Sequence, residues 1–158
     1  MRNMGRLPHV RTSHRKPSSG VMKGRRRAAR GEGSGRAMSG KAVISLTTGL
    51  EDAEKVTVAF LVAVGAAEQG RQTLMFLTKE AARLAVEAVA TAVACDGCPP
   101  LADLVRRYEE AGGTYLVCPI CFDARKLAKD ALVKNATLGG TIPMWEWIGD
   151  DAATTFSY

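Results

Sequence analysis

Histidine is missing from residues 38–158; the chain's two, His9 and His14, both lie near its start. This excludes a Ser-His-Asp or Cys-His catalytic set within one subunit and any His-ligated metal in the core. Long apolar runs are missing as well. The most apolar stretch, Val56 to Ala67, is bounded by Lys55 and Glu68 and falls well short of the ~20 residues that a membrane-spanning helix needs, so it reads as a buried helix. No Walker or GxGxxG loop follows any predicted strand, which leaves nucleotide binding with little support, and no internal repeat is visible. A hydrophobic content of 46% in 158 residues fits one ordinary domain with a real core.

Acidic residues are scarce in one region only. Eleven of the 22 Lys/Arg and one of the 16 acids lie in residues 1–37, so that segment carries +10 and residues 38–158 carry −4. The net +6 is therefore a property of the tail and not of the domain. Rich in Arg, Gly and Ser and poor in apolar side chains, residues 1–37 are expected to be a disordered basic extension. A basic arm of this kind can bind nucleic acid, but no aromatic residue is present to stack on bases. The same composition describes an organellar transit segment, although the apolar core of a secretory signal is absent. The reading preferred here is that Met38-Ser-Gly-Lys41 begins the domain, residues 38–158, and that what precedes it is an upstream extension. Four cysteines without a secretory signal point to a reducing cytoplasm, where paired thiols bind metal or do chemistry more often than they form structural disulfides.

Within the domain, strands alternate with helices. Lys41–Thr47 reads as a central strand. Thr48-x-x-Glu51 matches a capping box, with Asp52 as the alternative cap, for a helix running from Glu54 to Glu68 with Gly70 at C′. Arg71–Leu77 is a second strand, and Thr78 to about Val93 reads as a second, Ala-rich helix. Pro99-Pro100 opens a third helix, Leu101–Ala111, with Leu101, Leu104, Val105 and Tyr108 on one face. Thr114–Val117 is a buried strand and Phe122–Leu127 a short helix. Ala136–Leu138 and Thr154–Tyr158 are candidate further strands, with a helix over Thr141–Ile148 between them. This order predicts a mostly parallel sheet covered on both faces. Trp145 and Trp147 are read as core packing with Glu146 facing solvent, and Glu109-Glu110 as a solvated helix face.

All four cysteines fall in two CxxC pairs, Cys95-Asp-Gly-Cys98 and Cys118-Pro-Ile-Cys121. The spacing Cys-x2-Cys-x19-Cys-x2-Cys allows a zinc site made of Cys95, Cys98, Cys118 and Cys121, and hence a regulatory or structural module that is not an enzyme. Against this, the intervening residues read as a helix and a strand and not as the hairpins of a zinc ribbon. For the first pair, a second dithiol and a loop with incidental thiols are further options. Cys118 falls where a strand ends and a helix begins. Pro119 at the first helical position makes Cys118 the N-cap and predicts a sulfur facing unpaired backbone donors, a setting that lowers a thiol pKa to roughly 3.5–7.5. Arg125, one turn beyond Cys121, adds positive charge on a common face. Ligands in open α/β sheets bind beyond the carboxyl ends of the strands, and these groups lie there. Thr47, Thr48 and Gly49, also past a strand end, are read as a capping turn before a cleft lining.

The strand Ala42–Leu46, the Thr47-Thr-Gly-Leu-Glu-Asp52 loop, the long apolar helix, and the late strand ending in Cys118-Pro-Ile-Cys-Phe-Asp-Ala-Arg125 together resemble the DsrE/DsrF-like family of small sulfur-relay proteins, over about Lys41 to Tyr158. The resemblance implies a three-layer α/β/α domain with a five-stranded parallel sheet and assembly into homo-oligomers. It also implies carriage of sulfane sulfur as a persulfide, passed between donor and acceptor proteins or small persulfides. By position, Cys118 matches the sulfur-carrying residue, with Cys121 and Arg125 as its neighbours and no cofactor required. Two features depart from the family pattern: Lys126 stands where many relatives have Gly, and the Cys95/Cys98 pair is not a general family feature.

Overall fold

The computed structural model describes residues 40–158; the basic extension read in residues 1–37 lies outside them. Five strands, β1 (Lys41–Leu46), β2 (Gln72–Leu77), β3 (Thr114–Val117), β4 (Ala136–Leu138) and β5 (Ala153–Ser157), form one sheet in the order β4-β3-β2-β1-β5. Every pairing is parallel, with Ile44 beside Met75 and Phe156, and Leu77 beside Val117.

Helices α1 (Ala53–Glu68), α2 (Leu101–Glu110), α3 (Pro119–Ala124) and α4 (Thr141–Ile148) connect them. From β1 to β4 the chain steps one way across the sheet. To reach β5 it must step back past β1, and a right-handed crossover in the opposite direction puts its helix on the opposite face. The packing follows this rule. Ile44, Leu46, Met75, Leu77, Tyr115 and Val117 share the main core with Phe60 and Val64 of α1, Leu101, Leu104 and Tyr108 of α2, and Phe122 of α3. Leu74, Phe76 and Leu116, on the other face, pack against Met144 and Trp147 of α4. The result is the three-layer α/β/α domain with one thick and one thin outer layer, each fully buried large side chain contributing ~1.5–3 kcal/mol.

Asp52, not the Thr48–Glu51 box, caps α1: its carboxylate accepts from Lys55 N–H at 3.0 Å, while Glu51 folds back to accept from Gly49 N–H at 3.0 Å. Lys41 supplies a cap that the sequence did not disclose. Its ammonium donates to the carbonyls of Trp147 (2.7 Å) and Ile148 (2.9 Å) and meets Asp151 at 2.7 Å, placing a cation at the negative end of α4.

The second helix expected over Thr78–Val93 does not form. Two 3-10 turns, Lys79–Ala85 and Ala90–Ala92, stand in its place. Between them Val86 bridges Leu132, Val133 N–H donates to the Ala85 carbonyl at 2.9 Å and Glu87 N–H to Ala131 at 2.8 Å. Those bonds take the backbone groups that a helical ladder requires, and Ala88 turns to φ 66°; tertiary pairing overrides alanine's helix propensity. Trp145 is likewise not core: it is 64% exposed on α4, and only Trp147 packs inward. Glu146 and Glu109-Glu110 face solvent as expected.

Candidate functional site

Cys118 follows β3 directly and its N–H still pairs with the Leu77 carbonyl at 3.0 Å, so the sheet fixes its position. Its carbonyl accepts from Phe122 N–H at 2.9 Å, which starts α3, with Pro119 at the first helical position. The N-cap placement is thus met by the backbone. The sulfur, however, makes no capping bond to the first turn of α3, which corrects the expectation of a side chain held on those donors. The helix also lies three residues earlier than expected, ending at Ala124, with Lys126 at φ 52° just beyond. Cys118 and Cys121 are both free thiols and both partly exposed.

Three elements converge on Cys121. Burial pushes its thiol pKa up, the backbone N–H of Lys79 counters this, and Cys118 raises it further as a hydrogen-bond and like-charge neighbour. Arg125 favours the thiolate, as its last contribution. Lys79 is the first residue after the β2 end to enter a 3-10 turn and holds φ 49°, a conformation that costs a non-glycine residue about 1–2 kcal/mol.

Arg125 does not stand free beside the thiols. Its guanidinium donates to Glu80 Oε1, from Nε at 2.9 Å and Nη2 at 2.7 Å, and to the Cys121 carbonyl from Nη1 at 3.0 Å. Glu80 also takes Arg83 Nε at 2.8 Å, and Arg83 first, then Arg125, hold its carboxyl below the usual range. Gly49 rests against this segment so closely that a Cβ there would lie 2.6 Å from the Glu80 carbonyl oxygen. Thr47 is committed elsewhere, donating from both N–H (3.0 Å) and hydroxyl (3.1 Å) to the Tyr158 carbonyl, in keeping with a structural turn.

Lys79 and Glu80 are the site residues that sequence reasoning missed. They fall in the first turn of the helix expected over Thr78–Val93, which does not form; only the Glu80-x-x-Arg83 spacing hints at a charged pair. Cys95 and Cys98 are bonded to each other. Among the described residues no group of three or more His, Cys, Asp or Glu is placed to hold a metal ion, so the two CxxC pairs are not gathered into the tetrathiolate that their spacing allowed. A depression of about 610 Å3 lined by Lys41, Arg71, Gln72 and Asp151 lies at the amino ends of the strands, away from the thiols.

A model of the DsrE/DsrF-like family matches residues 40–156. The chain belongs to the DsrE/DsrF-like family. Solved structures carry the same fold. The ychN protein from E. coli is similar at a TM-score of 0.57 and 14% identity, over 73% of this chain and 99% of that one. MTH1491 from Methanobacterium thermoautotrophicum, a protein of unknown function, is similar at 0.52 and 10%, over 75% and 98%. No curated protein matches the sequence. At these identities the neighbours show the fold alone, and among the described residues no helix is long and apolar enough to cross a membrane.

Proposed function

We propose that this DsrE/DsrF-like protein is a sulfur carrier that accepts sulfane sulfur as a persulfide on Cys118. The observation that carries the reading is the pairing of two unbonded thiols, Cys118 and Cys121, at a strand's carboxyl end. The Arg125 guanidinium, held by Glu80, reaches the Cys121 carbonyl at 3.0 Å. In the forward step the Cys118 thiolate attacks the outer sulfur of a donor persulfide, forms a new S–S bond, and releases the donor as its thiolate. An acceptor thiolate then attacks that outer sulfur and regenerates Cys118. Alternatively Cys121 attacks Cys118 Sγ, releasing hydrosulfide and leaving a Cys118–Cys121 disulfide. Arg125 acts as a positioning residue, fixing the Cys121 carbonyl and hence the turn between the thiols.

The donor and acceptor are proteins or small molecules carrying a persulfide or thiol, in a reducing cytoplasm, and several copies of the chain assemble together. Exposed apolar side chains on one side of the sheet, Val58 and Leu61 of α1 and Phe156 of β5, are surface of the kind that subunit contacts cover. The deciding experiment is intact-mass analysis after incubation with thiosulfate or a persulfide donor. One added sulfur that Cys118→Ser abolishes is the expected result. Sulfur addition that survives this substitution, or none in the wild-type protein, defeats the reading.

A further inference from the structure

The four cysteines share one end of the sheet. Cys118 directly follows β3, and α2 returns the chain to the start of β3, so the Cys95–Cys98 turn that precedes α2 also lies at the strands' carboxyl end. The two pairs differ in oxidation state: Cys95 and Cys98 are joined, Cys118 and Cys121 are free. The first pair is built for closure. Cys98 N–H donates to the Cys95 carbonyl at 3.2 Å, Gly97 supplies a φ of 76° that other residues resist, and the two Cα atoms are held 5.4 Å apart, inside the range that a disulfide needs. Both cysteines are partly exposed, and they line an open depression of about 250 Å3 with Pro99 and Pro100. Within the reducing compartment proposed above, a disulfide that can be reached is expected to be transient and chemical rather than structural.

We propose that Cys95 and Cys98 are a second, redox-active site whose dithiol form reduces a disulfide between Cys118 and Cys121, becoming the linked pair in doing so. This rests on the carrier role of Cys118, since closure of Cys121 on a Cys118 persulfide creates the disulfide to be reduced. Thr57 divides the labour between the two sulfurs. It is 2% exposed, donates its hydroxyl to the Ala53 carbonyl at 2.8 Å, and sets its oxygen 3.6 Å from Cys95 Sγ. Cys95 is thus the sulfur packed against α1, and the proposal assigns the attack to Cys98.

In the exchange, the Cys98 thiolate attacks one sulfur of the Cys118–Cys121 bond, forming a mixed disulfide and expelling the other sulfur as thiolate. Cys95, having lost its proton, then attacks Cys98 Sγ and expels the second thiolate. Two electrons pass from the first pair to the second, the two protons follow, and each pair gains or loses one S–S bond. An external dithiol, such as a reduced CxxC protein or dithiothreitol, restores Cys95 and Cys98 and leaves as its own disulfide.

The test uses fully reduced protein given one equivalent of diamide, a thiol oxidant that adds no sulfur, followed by alkylation and peptide mapping. In the wild type the Cys95–Cys98 linkage is expected to accumulate while Cys118 and Cys121 become alkylated. Cys95→Ser removes the resolving sulfur and is expected to trap Cys98 linked to Cys118 or Cys121; Cys98→Ser is expected to trap nothing. A trapped species of single-chain mass places the exchange within one chain, and one of double mass places it between copies; either supports the proposal. A wild-type protein that keeps a Cys118–Cys121 bond beside alkylated Cys95 and Cys98 overturns it, as does stoichiometric zinc held by the reduced protein. The wild-type arm needs no variant to fold. Because diamide donates no sulfur, failure of the carrier reading shows separately, as absence of added sulfur mass with thiosulfate.

Discussion

The Arg125 guanidinium closes on Glu80 Oε1 at 2.7 Å, tying the turn that holds the thiols to the segment that leaves β2. Glu80 has its pKa lowered by Arg83 and Arg125, so the tie stabilises the fold above the unfolded-chain value of about 4.3 and fades as pH falls through the depressed folded value. Glu80→Gln is therefore expected to lower the urea midpoint near neutral pH and to have no effect in sufficiently acid solution. A wild-type-to-variant difference that stays constant across that range would count against the ion pair as the cause.

Cys121 should be a sluggish thiol near neutral pH. Burial and Cys118 raise its pKa above the usual ~8.5, so its rate of reaction with iodoacetamide is expected to reach half its plateau only in distinctly alkaline solution. Cys118→Ala removes the neighbouring sulfur and is expected to move that midpoint down, whereas Arg125→Gln moves it up. Both shifts can be read by mapping the Cys121 peptide against pH, and a midpoint indifferent to Cys118 would show that the two sulfurs do not interact.

The sheet was legible because its strands carry β-branched and aliphatic runs separated by strong punctuation: Pro99-Pro100 before α2, Gly112-Gly113 before β3, Pro119 opening α3. Cys118 could be placed at a strand end for the same reason. What stayed hidden depends on long-range pairing. Nothing local in Ala81-Ala82-Arg83-Leu84-Ala85 reveals that residues 85–87 bond to residues 131–133, so a helix was read where 3-10 turns form, and Lys79 and Glu80 went unrecognised.

Lys126 offers a test of the departure from the family pattern. It sits at φ 52°, where a side chain costs about 1–2 kcal/mol and glycine costs little, while glycine's extra unfolded-state freedom takes back ~0.4–1 kcal/mol. Lys126→Gly is accordingly expected to raise stability by up to about 1 kcal/mol without altering thiol labelling. Lys126→Val, β-branched in the same conformation, is expected to lower it. Chemical denaturation of the three proteins gives the order, and a glycine variant less stable than the lysine protein would refute the strain.

Tyr108 ties the thick layer to the sheet, and its environment prescribes what both it and its neighbour must be. Fully buried, it donates its hydroxyl to the carbonyls of Thr73 at 3.0 Å and Thr114 at 2.9 Å, between β2 and β3, and its ring meets Phe60 edge-on at 6.3 Å and Tyr115 at 5.2 Å. A Cβ on Gly113 would overlap that ring, so only glycine lets β3 begin there. Tyr108→Phe keeps the packing and removes the donor from two carbonyls, an expected loss of roughly 1–3 kcal/mol. Gly113→Ala forces the ring aside, an expected loss of about 1–3 kcal/mol from overpacking. Burial also raises the Tyr108 pKa, so the neutral phenol stabilises the fold below the unfolded value of about 10 and that contribution drains away as pH rises beyond it. Wild-type protein is therefore expected to lose stability in alkaline solution more steeply than Tyr108→Phe, measured as the change in urea midpoint with pH. Parallel curves for the two proteins would mean that the phenol is not the group responsible.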